Sequence, residues 1–548
     1  MAQKDTRTKT DKQSSADPER ETLAATIVKY AEDRYDFVLS KDDRAVAVPK
    51  DGGPGVEVKA LKSVLMAEVY RVLGIAASSS VIATALDTLE GLTRVKAPTD
   101  VYLRSAQRKS SIYLDLGNHT NEVVEIAPYG WRLMSDLMAE ARSQDGEDEK
   151  HDGDWEQPVP FCPVFRRSST IRPLPIPVDD EQWMQRAGGE DVLNGREQFG
   201  KIIGLDVTDS RFHLVWGWLV ASLFSEVARP ALWLTGPQGS GKTTVGLSIL
   251  GVVSPTDRMG GNFGKNERDD LALLGGSYIP SFDNLTRISQ ASNDFICRMV
   301  TGTETASRRL YTDDDLHLTT LMRTAMFTSI NLPVGLREDG LERIVHLHFD
   351  RIDERDRRRE GDLRAEFSEH HPRILGCLLS DVAGVLGNLH EAKSQLTSLP
   401  RMADYATILY ALDLHLWMQP QYRRFLSSYR AAVSESMEDR ALNDPFTSSV
   451  LKVAETKDGW SGNLKTLLTV LGQPAISEEQ PSWWPRSSRA LSNLLRSHHE
   501  SLRSVGVDVQ HLGRQKDGYH VALHLVNVER PKDQPHPDSL DEDVDDAA

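Results

Sequence analysis

The chain has 548 residues, of which 39% are hydrophobic and 26% are charged. That length exceeds one ordinary domain, and the composition is sufficient for folded cores, which excludes wholesale disorder. The formal net charge is −17, so any nucleic-acid site must be a local basic patch. The only three cysteines, Cys162, Cys297 and Cys377, are widely spaced, which excludes a disulfide framework and a cysteine-rich zinc module.

The N-terminal third is predicted to contain a leader, an accessory domain and a linker. Residues 1–20 are polar, which predicts a disordered leader without a signal peptide. Residues 21–142 combine helix-period apolar stretches with an alternating segment around Tyr113–Trp131, which predicts a small α+β accessory or oligomerisation domain. This region has no zinc-ligand spacing and no pair of acidic strand-end motifs. The sequence therefore gives no indication of a primase site there. The acidic and proline-rich stretch 143–197 predicts a linker.

Helical and strand patterns alternate from residue 198 to residue 352, which predicts an α/β domain with a parallel sheet. The apolar run Phe212–Phe224 is shorter than the roughly 18–20 residues of a membrane span, so it predicts a buried helix. We therefore expect a cytoplasmic protein without a membrane partner. The basic run Arg351–Arg359 is typical of a solvated helix with internal ion pairs.

The C-terminal part is predicted to be a helical region, 353–444, followed by a winged-helix-like domain, 445–528, and an acidic disordered tail, 529–548. The winged-helix pattern is two helices, Trp460–Leu471 and Pro485–Leu495, and then two alternating strands, Val507–Leu512 and Tyr519–Leu525. Arginines concentrate in this domain, and they favour DNA binding, with Arg489 as the expected contact. A wing for protein interaction or for structure alone remains an alternative.

The strongest signal is Gly236–Thr243, which fits the pattern G-x-x-x-x-G-K-[ST] between an apolar strand and a helix. Its glycines let backbone N–H groups surround phosphate oxygens, and the helix N-terminus favours the same anion. Lys242 is expected to contact the outer phosphates, and the Thr243 hydroxyl is expected to bind Mg²⁺. The predicted ATP ligands are Gly236, Pro237, Gln238, Gly239, Ser240, Gly241, Lys242, Thr243 and Thr244.

A second metal ligand is expected at the end of another strand. Asp283 ends an apolar stretch at a suitable distance after the loop, and it is either a Mg²⁺ ligand or an ordinary strand-end carboxylate. Many ATPases with such a phosphate loop place a glutamate for water activation at the position where this chain has Asn284. Glu267 and Asp269 are alternative bases.

Two further residues are expected to act on the outermost phosphate. Asn331 ends the strand-like segment TAMFTSIN, where an amide can orient the attacking water, although it also fits a turn before Pro333. Arg343 begins another strand and is expected to act on ATP bound to a neighbouring subunit, with a surface ion pair as the alternative. Arg337 is the competing arginine.

Together these motifs resemble an AAA+ ATPase domain of the superfamily 3 helicase kind, specifically the poxvirus-type group of phage and mobile-element primase-helicases. The resemblance covers 198–352 through the stretches GPQGSGKTT, SYIPSFDNL, CRMVTGTETASRRLYTDDD, RTAMFTSINLP and LERIVHL. It implies that Lys242 and Thr243 are the Walker A pair and that Asp283 is the Walker B carboxylate. It also implies that Asn331 is sensor 1 and Arg343 the arginine finger.

The same resemblance implies a hairpin that projects into a central channel, over Arg308–Leu318. Arg308, Arg309 and Tyr311 would contact DNA by phosphate pairing and base stacking. The hairpin tip is Asp313–Asp315, which departs from the family pattern because it repels phosphate.

The fold class expected from the whole sequence is multidomain α/β. It consists of a central P-loop AAA+ domain, a small N-terminal α+β accessory domain, a C-terminal helical region and a winged helix. The function implied by the resemblance is an ATP-hydrolysing, ring-forming motor, expected to be a hexamer, that replicates DNA of a phage, plasmid or integrated element with ATP and Mg²⁺. One alternative is an ATP-gated assembly or sensor protein without helicase activity. Another is a DNA-binding regulator whose ATPase domain controls oligomerisation.

Overall fold

The structure is a computed structural model that describes residues 22–136, 162–179, 193–260, 263–264, 267–308, 316–333, 335–422, 424–456, 459–472 and 484–526. The predicted leader, the acidic tail, and residues 143–161 and 180–192 of the predicted linker lie outside the described residues. The chain divides into two compact units. The first takes in the chain up to Tyr102 with 163–167 and 307–319, and the second takes in the rest.

The first unit packs helices on a small mixed sheet of order β3-β2-β1-β4. The elements are α1 (Leu23–Arg34), β1 (Tyr35–Ser40), β2 (Ala45–Pro49), β3 (Val56–Glu57), a 3₁₀ turn (Val58–Leu61), α2 (Lys62–Leu73), α3 (Ser79–Arg94), β4 (Pro98–Thr99), β5 (Val101–Tyr102) and β10 (Val164–Phe165). Strand β1 is antiparallel to β2 and parallel to β4, and β5 pairs with β10. The helix-period interpretation of this region misses β1 to β3. Strand β2 is apolar throughout and β3 has only two residues, so neither shows the alternation of a half-buried strand.

The second unit begins with an antiparallel meander of order β6-β7-β8-β9. Its strands are β6 (Ser105–Arg108), β7 (Ser111–Asp115), β8 (Val123–Ala127) and β9 (Gly130–Leu133). The antiparallel pairing predicted from the alternation is confirmed. However, the predicted domain 21–142 does not form one unit, because Ile112 and Val124 are buried in the core that also holds Trp216 of the second unit.

The centre of the second unit is a parallel sheet of order β12-β15-β11-β16, which confirms the predicted mixed α/β core. Its strands are β11 (Ala231–Thr235), β12 (Ser281–Phe282), β15 (Met326–Ser329) and β16 (Ile344–His348). Strands β13 (Thr303–Arg308) and β14 (Leu316–Leu321) form a separate two-stranded sheet. The accompanying helices are α4 (Gly195–Ile203), α5 (Ser210–Ser222), α6 (Lys242–Val253), α7 (Glu267–Gly276), α8 (Gln290–Thr301) and α9 (Glu338–Leu341).

Helix α5 contains the apolar run up to Ser222, and every residue from Phe212 to Ser222 is buried. The prediction of a buried helix is therefore confirmed. Among the described residues, no helix is both long enough and apolar enough to cross a membrane.

Three helices follow the central sheet: α10 (Glu360–Gln395), α11 (Ala403–His415) and α12 (Phe425–Asn443). The interpretation of Arg351–Arg359 as a helix is wrong. Asp356 N donates to Asp353 O over 3.0 Å and closes a turn, and α10 begins only at Glu360. A run of consecutive charged residues offers no apolar face for a helix to bury.

The C-terminal region has its own core, in which Leu467, Leu491 and Val521 are fully buried. Its elements are α13 (Pro445–Ala454), β17 (Trp460–Asn463), α14 (Leu464–Leu471), α15 (Ser488–Ser497), α16 (His499–Ser504), β18 (Val507–Gln515) and β19 (Gly518–Leu525). The strands form an antiparallel sheet of order β17-β19-β18. The first four residues of the predicted helix Trp460–Leu471 are the strand β17, because Asn463 Oδ1 accepts from Thr466 N over 2.8 Å and starts the helix there.

Candidate functional site

The loop from Gly236 to Gly241 joins β11 to α6 and has a backbone that needs glycine. The φ angles of Gly236, Gly239 and Gly241 are +152°, +83° and +75°. A Cβ atom on Gly236 would lie 2.2 Å from the carbonyl oxygen of Phe349, which leaves no room for a side chain. The sequence pattern of this loop therefore reflects a tight turn at the carboxyl end of a buried central strand.

Several polar groups of this loop fit a bound phosphate. The Ser240 hydroxyl is buried and has no hydrogen-bond partner among the described residues, although buried polar groups are normally paired. Helix α6 begins after Gly241, which supplies no side-chain cap, so the N–H groups of its first turn remain available. Lys242 Nζ lies 3.3 Å from the carbonyl oxygen of Pro237, which places the ammonium over the loop. These groups converge as an anion site requires.

The other predicted ATP ligands lie on the same loop and helix. Pro237 and Gln238 are exposed at the outer side of the loop, and Thr243 is exposed on the first turn of α6. Thr244 is half-buried, and its carbonyl oxygen accepts from the Ser248 hydroxyl over 3.1 Å. Thr243 is therefore the more exposed of these two threonines.

Asp283 follows β12 at the carboxyl edge of the sheet, which is the edge that carries the loop. Two strand spacings, about 10 Å, separate β12 from β11. The Asp283 side chain is half-buried and forms no ion pair among the described residues. Pro280 lies just before this two-residue edge strand, where a missing N–H is tolerated. The carboxylate thus has lone pairs available beside the loop.

Thr328 positions this carboxylate, and sequence reasoning did not find it. Its hydroxyl donates to Asp283 Oδ1 and accepts from the backbone N–H of Asn284 over 3.0 Å. Asn284 itself has a left-handed backbone, with φ of +59°, and an exposed side chain. The contact joins residues 45 positions apart on neighbouring strands, so only the strand pairing reveals it.

Asn331 lies just past the end of β15, beside the loop. The carbonyl oxygen of Ile330 accepts from Gly236 N over 3.0 Å, which fixes this strand end against the start of the loop. The Asn331 side chain is exposed and makes no hydrogen bond within the described part of the chain. Its amide is therefore available to a water molecule, and its role as sensor 1 stays a prediction.

Arg343 lies near the opposite edge of the sheet, whereas the backbone N–H of Arg337 donates to Asn293 Oδ1 of α8 over 3.0 Å. Ala231 N donates to Arg343 O over 2.9 Å, at the amino ends of β11 and β16. The length of β11 therefore separates Arg343 from its own loop by roughly 15 Å. Arg343 Nη1 donates to the Asp339 carbonyl oxygen over 2.6 Å. The exposed Arg337 side chain forms no ion pair in the described ranges.

The alternative role for Arg343 is a surface ion pair with Glu342 or Glu338, and the first of these carboxylates has another partner. Glu342 pairs with Arg401 over 2.9 Å. Of the two arginines, Arg337 thus has the guanidinium that is more accessible to a second copy of the chain. The finger role of Arg343 stays a prediction.

The alternative bases Glu267 and Asp269 lie in the first turn of α7. Glu267 Oε1 accepts from Arg298 Nη2 over 2.8 Å, and both side chains are exposed. Nothing in the described residues forms a cluster of three or more histidine, cysteine, aspartate or glutamate side chains suited to a metal ion.

The predicted DNA-contacting hairpin is represented by β13 and β14. Arg308 is the last residue of β13, while Arg309, Tyr311 and the tip Asp313–Asp315 lie outside the described residues. The DNA contacts of this hairpin therefore stay predictions.

Helix α15 presents a basic face. Arg489, Asn493 and Arg496 are exposed at spacings of four and three, so they share one side of the helix. Arg486, just before the helix, is also exposed, and none of these arginines forms an ion pair within the described ranges. The Ser487 hydroxyl accepts from Ala490 N over 3.2 Å and caps the helix. The face is a positive stripe in an acidic protein, as a DNA-contacting helix requires.

Solved structures show weak similarity to the chain. The apo structure of the NrS-1 C-terminal region has 9% identity, covers 93% of this chain and 100% of that chain, and has a TM-score of 0.36. A structure of JCV helicase with a bound thiazolopyridine compound has 12% identity, covers 42% of this chain and 64% of that chain, and has a TM-score of 0.24. At such scores the likeness carries no weight for function.

Two family models match consecutive regions of the chain. Residues 203–439 match the actinomycete integrative conjugative element replication protein, and residues 446–535 match the C-terminal domain of the same replication protein, RepA. A comparison with curated protein sequences finds no match. Through these two regions the chain is similar to the replication proteins of actinomycete integrative conjugative elements.

Proposed function

We propose that the chain is an ATP-hydrolysing replication motor that forms a ring on DNA. The observation that carries this proposal is the glycine loop Gly236–Gly241, with its unpartnered Ser240 hydroxyl, at the same sheet edge as Asp283. The match to a replication-protein family supports DNA as the partner. ATP, Mg²⁺ and a hexameric ring are parts of this proposal.

In this proposal the residues of one chain bind and orient the nucleotide. The N–H groups of the loop and of the first turn of α6 hold phosphate oxygens, and Lys242 neutralises their charge. The Thr243 hydroxyl and the Asp283 carboxylate hold Mg²⁺, which reduces the charge of the phosphates during attack. Asn331 orients the attacking water from the next strand end.

The remaining contributions come from a second copy and from DNA. Because Arg343 lies at the far edge of the sheet, it reaches a nucleotide only on a neighbouring chain, and Arg337 is the competing arginine for that role. The basic face of α15 supplies the contact with duplex DNA phosphates, with Arg489 at its centre. ATP turnover at the interface between neighbouring copies then changes how the ring binds DNA.

A second candidate function is an ATP-gated assembly protein that does not unwind DNA. The observation that favours it is the exposed Asn284 amide beside Asp283, because an amide cannot accept a proton from the attacking water. Under this alternative, ATP binding closes the assembly and hydrolysis is slow.

The decisive variant for nucleotide binding is Lys242→Ala, with Lys393→Ala as the matched control because Lys393 is exposed on α10. Removing the ammonium is expected to weaken ATP binding about tenfold or more and to abolish phosphate release, whereas the control should bind like the wild type. Equal affinities in the two variants would refute the loop assignment.

Two DNA assays then separate the candidates. A motor is expected to release phosphate several-fold faster with DNA and to separate a forked duplex. An assembly switch would bind ATP and lose that binding in Lys242→Ala. It would show neither DNA-stimulated phosphate release nor separation of the forked duplex.

A further inference from the structure

The segment that follows β16, residues 349–357, lies along the phosphate loop. Ile352 N donates to Gly239 O over 3.3 Å. A Cβ atom placed on Gly241 would lie 2.8 Å from Ile352 Cδ1. The loop is therefore glycine-rich partly because this segment passes so close to it.

Arg357 ends this segment, and its guanidinium lies against the loop. A Cβ atom on Gly239 would lie 3.1 Å from Arg357 Nη2 and 3.9 Å from its Cζ. The side chain is exposed and has no ion pair or hydrogen bond among the residues that the structure describes. The next arginine differs, because Arg358 pairs with Glu366.

Two cationic side chains therefore lie over one loop. The Lys242 ammonium contacts the Pro237 carbonyl oxygen, and the Arg357 guanidinium lies beside Gly239. Like charges so arranged repel each other unless an anion lies between or beside them. A guanidinium also suits phosphate, since its planar set of N–H groups donates to two oxygens at once.

We propose that Arg357 is a phosphate ligand for the nucleotide bound to its own chain, separate from the arginine expected from a neighbouring copy. This inference rests on the proposed function, because it takes the loop as the nucleotide site. The ligand class is a nucleoside di- or triphosphate. The segment 349–357 already contacts the loop, and α10 begins three residues beyond Arg357.

The test uses the full chain and titration calorimetry with ATP and with ADP in the presence of Mg²⁺. Arg357→Ala is expected to weaken both affinities about tenfold or more, and Arg357→Lys to restore part of the loss. The matched control is Arg355→Ala, an exposed arginine of the same segment, which should stay within about twofold of the wild type. A second readout is the melting temperature. Without nucleotide, Arg357→Ala should melt at the same temperature as the wild type, and ATP should raise its melting temperature less than it raises that of the wild type.

Unchanged ATP and ADP affinities in Arg357→Ala would overturn this inference. Unchanged affinities in Arg357→Ala would leave the proposed function intact as long as the wild type binds ATP and Lys242→Ala loses that binding. A wild-type chain that binds neither nucleotide would overturn the proposed function and this inference together.

Discussion

Removal of the Asp381 carboxylate is expected to destabilise the helices that support the central sheet. This side chain of α10 is 0% exposed. It accepts from Arg196 Nε over 2.8 Å, from Arg196 Nη2, and from Trp216 Nε1 over 2.7 Å. Asp381→Ala leaves Arg196 as a buried cation without its partner, and such losses cost about 3–5 kcal/mol. That is a large part of the roughly 5–15 kcal/mol that keeps a domain folded.

The same carboxylate predicts a dependence of stability on pH. Burial raises the pKa of Asp381, but the charge of Arg196 and the hydrogen bonds from His415 and Arg196 outweigh it and lower the pKa to about 2, from an ordinary value of 3.8. Since the unfolded chain then binds the proton more tightly, the stabilisation is present above pH 3.8 and is lost as the pH falls towards 2. The difference corresponds to on the order of 2 kcal/mol.

Urea unfolding followed by far-ultraviolet circular dichroism measures both effects. The matched control is Glu360→Ala on the same helix, where the pair with Arg364 is exposed and contributes only about 0.3–0.5 kcal/mol. Asp381→Ala should lower the urea midpoint at pH 7 far more than the control, and it should lose less stability than the wild type between pH 4 and pH 2. Equal midpoints for the two variants would refute the assigned role of the buried pair.

Two further predictions concern the metal ligand and the DNA-contacting helix. Thr328→Val removes the hydroxyl that donates to Asp283 and changes the side-chain volume only slightly. The Mg²⁺ concentration for half-maximal phosphate release should therefore rise about tenfold. An unchanged Mg²⁺ dependence would contradict this role of the contact. Arg489→Ala should weaken binding to duplex DNA equally for all sequences and lower the salt slope of log affinity by about 1. Lys465→Ala, at an exposed position of α14, is the control, and equal salt slopes in the two variants would exclude the α15 face.

The parts of the candidate site that could be predicted are those set by local sequence. The loop glycines and Lys242 lie within eight residues, between a strand and a helix that each carry a clear apolar pattern. The contact between Thr328 and Asp283 and the approach of Arg357 to Gly239 depend on which strands are neighbours. Periodicity within one segment contains no information about that pairing.

The errors in the fold prediction have the same origin. The strand β17 is only four residues long, and its pairing with β19 joins residues about 60 positions apart, so it was predicted as part of the following helix. The pattern correctly predicts the meander β6 to β9 as a β-unit but assigns it to the wrong neighbours. The meander packs on α10, where Trp131 Nε1 donates to the Ser380 hydroxyl over 3.1 Å across 249 positions of sequence. Alternation shows that a strand has a buried face, but it does not show what covers that face.

The position of each arginine along β16 determines which nucleotide it can reach. Arg343 precedes β16 and lies at the amino edge of the parallel sheet, whereas Arg357 follows it and lies at the carboxyl edge with the loop. No rotation of a side chain spans the length of β16, so Arg343 acts on a neighbouring copy if it acts on a nucleotide at all. Binding through Arg357 should therefore be independent of protein concentration, while a contribution from Arg343 appears only when copies assemble. Affinity measured in dilute chain and turnover measured at increasing concentration separate the two classes of arginine without a structure of the assembly.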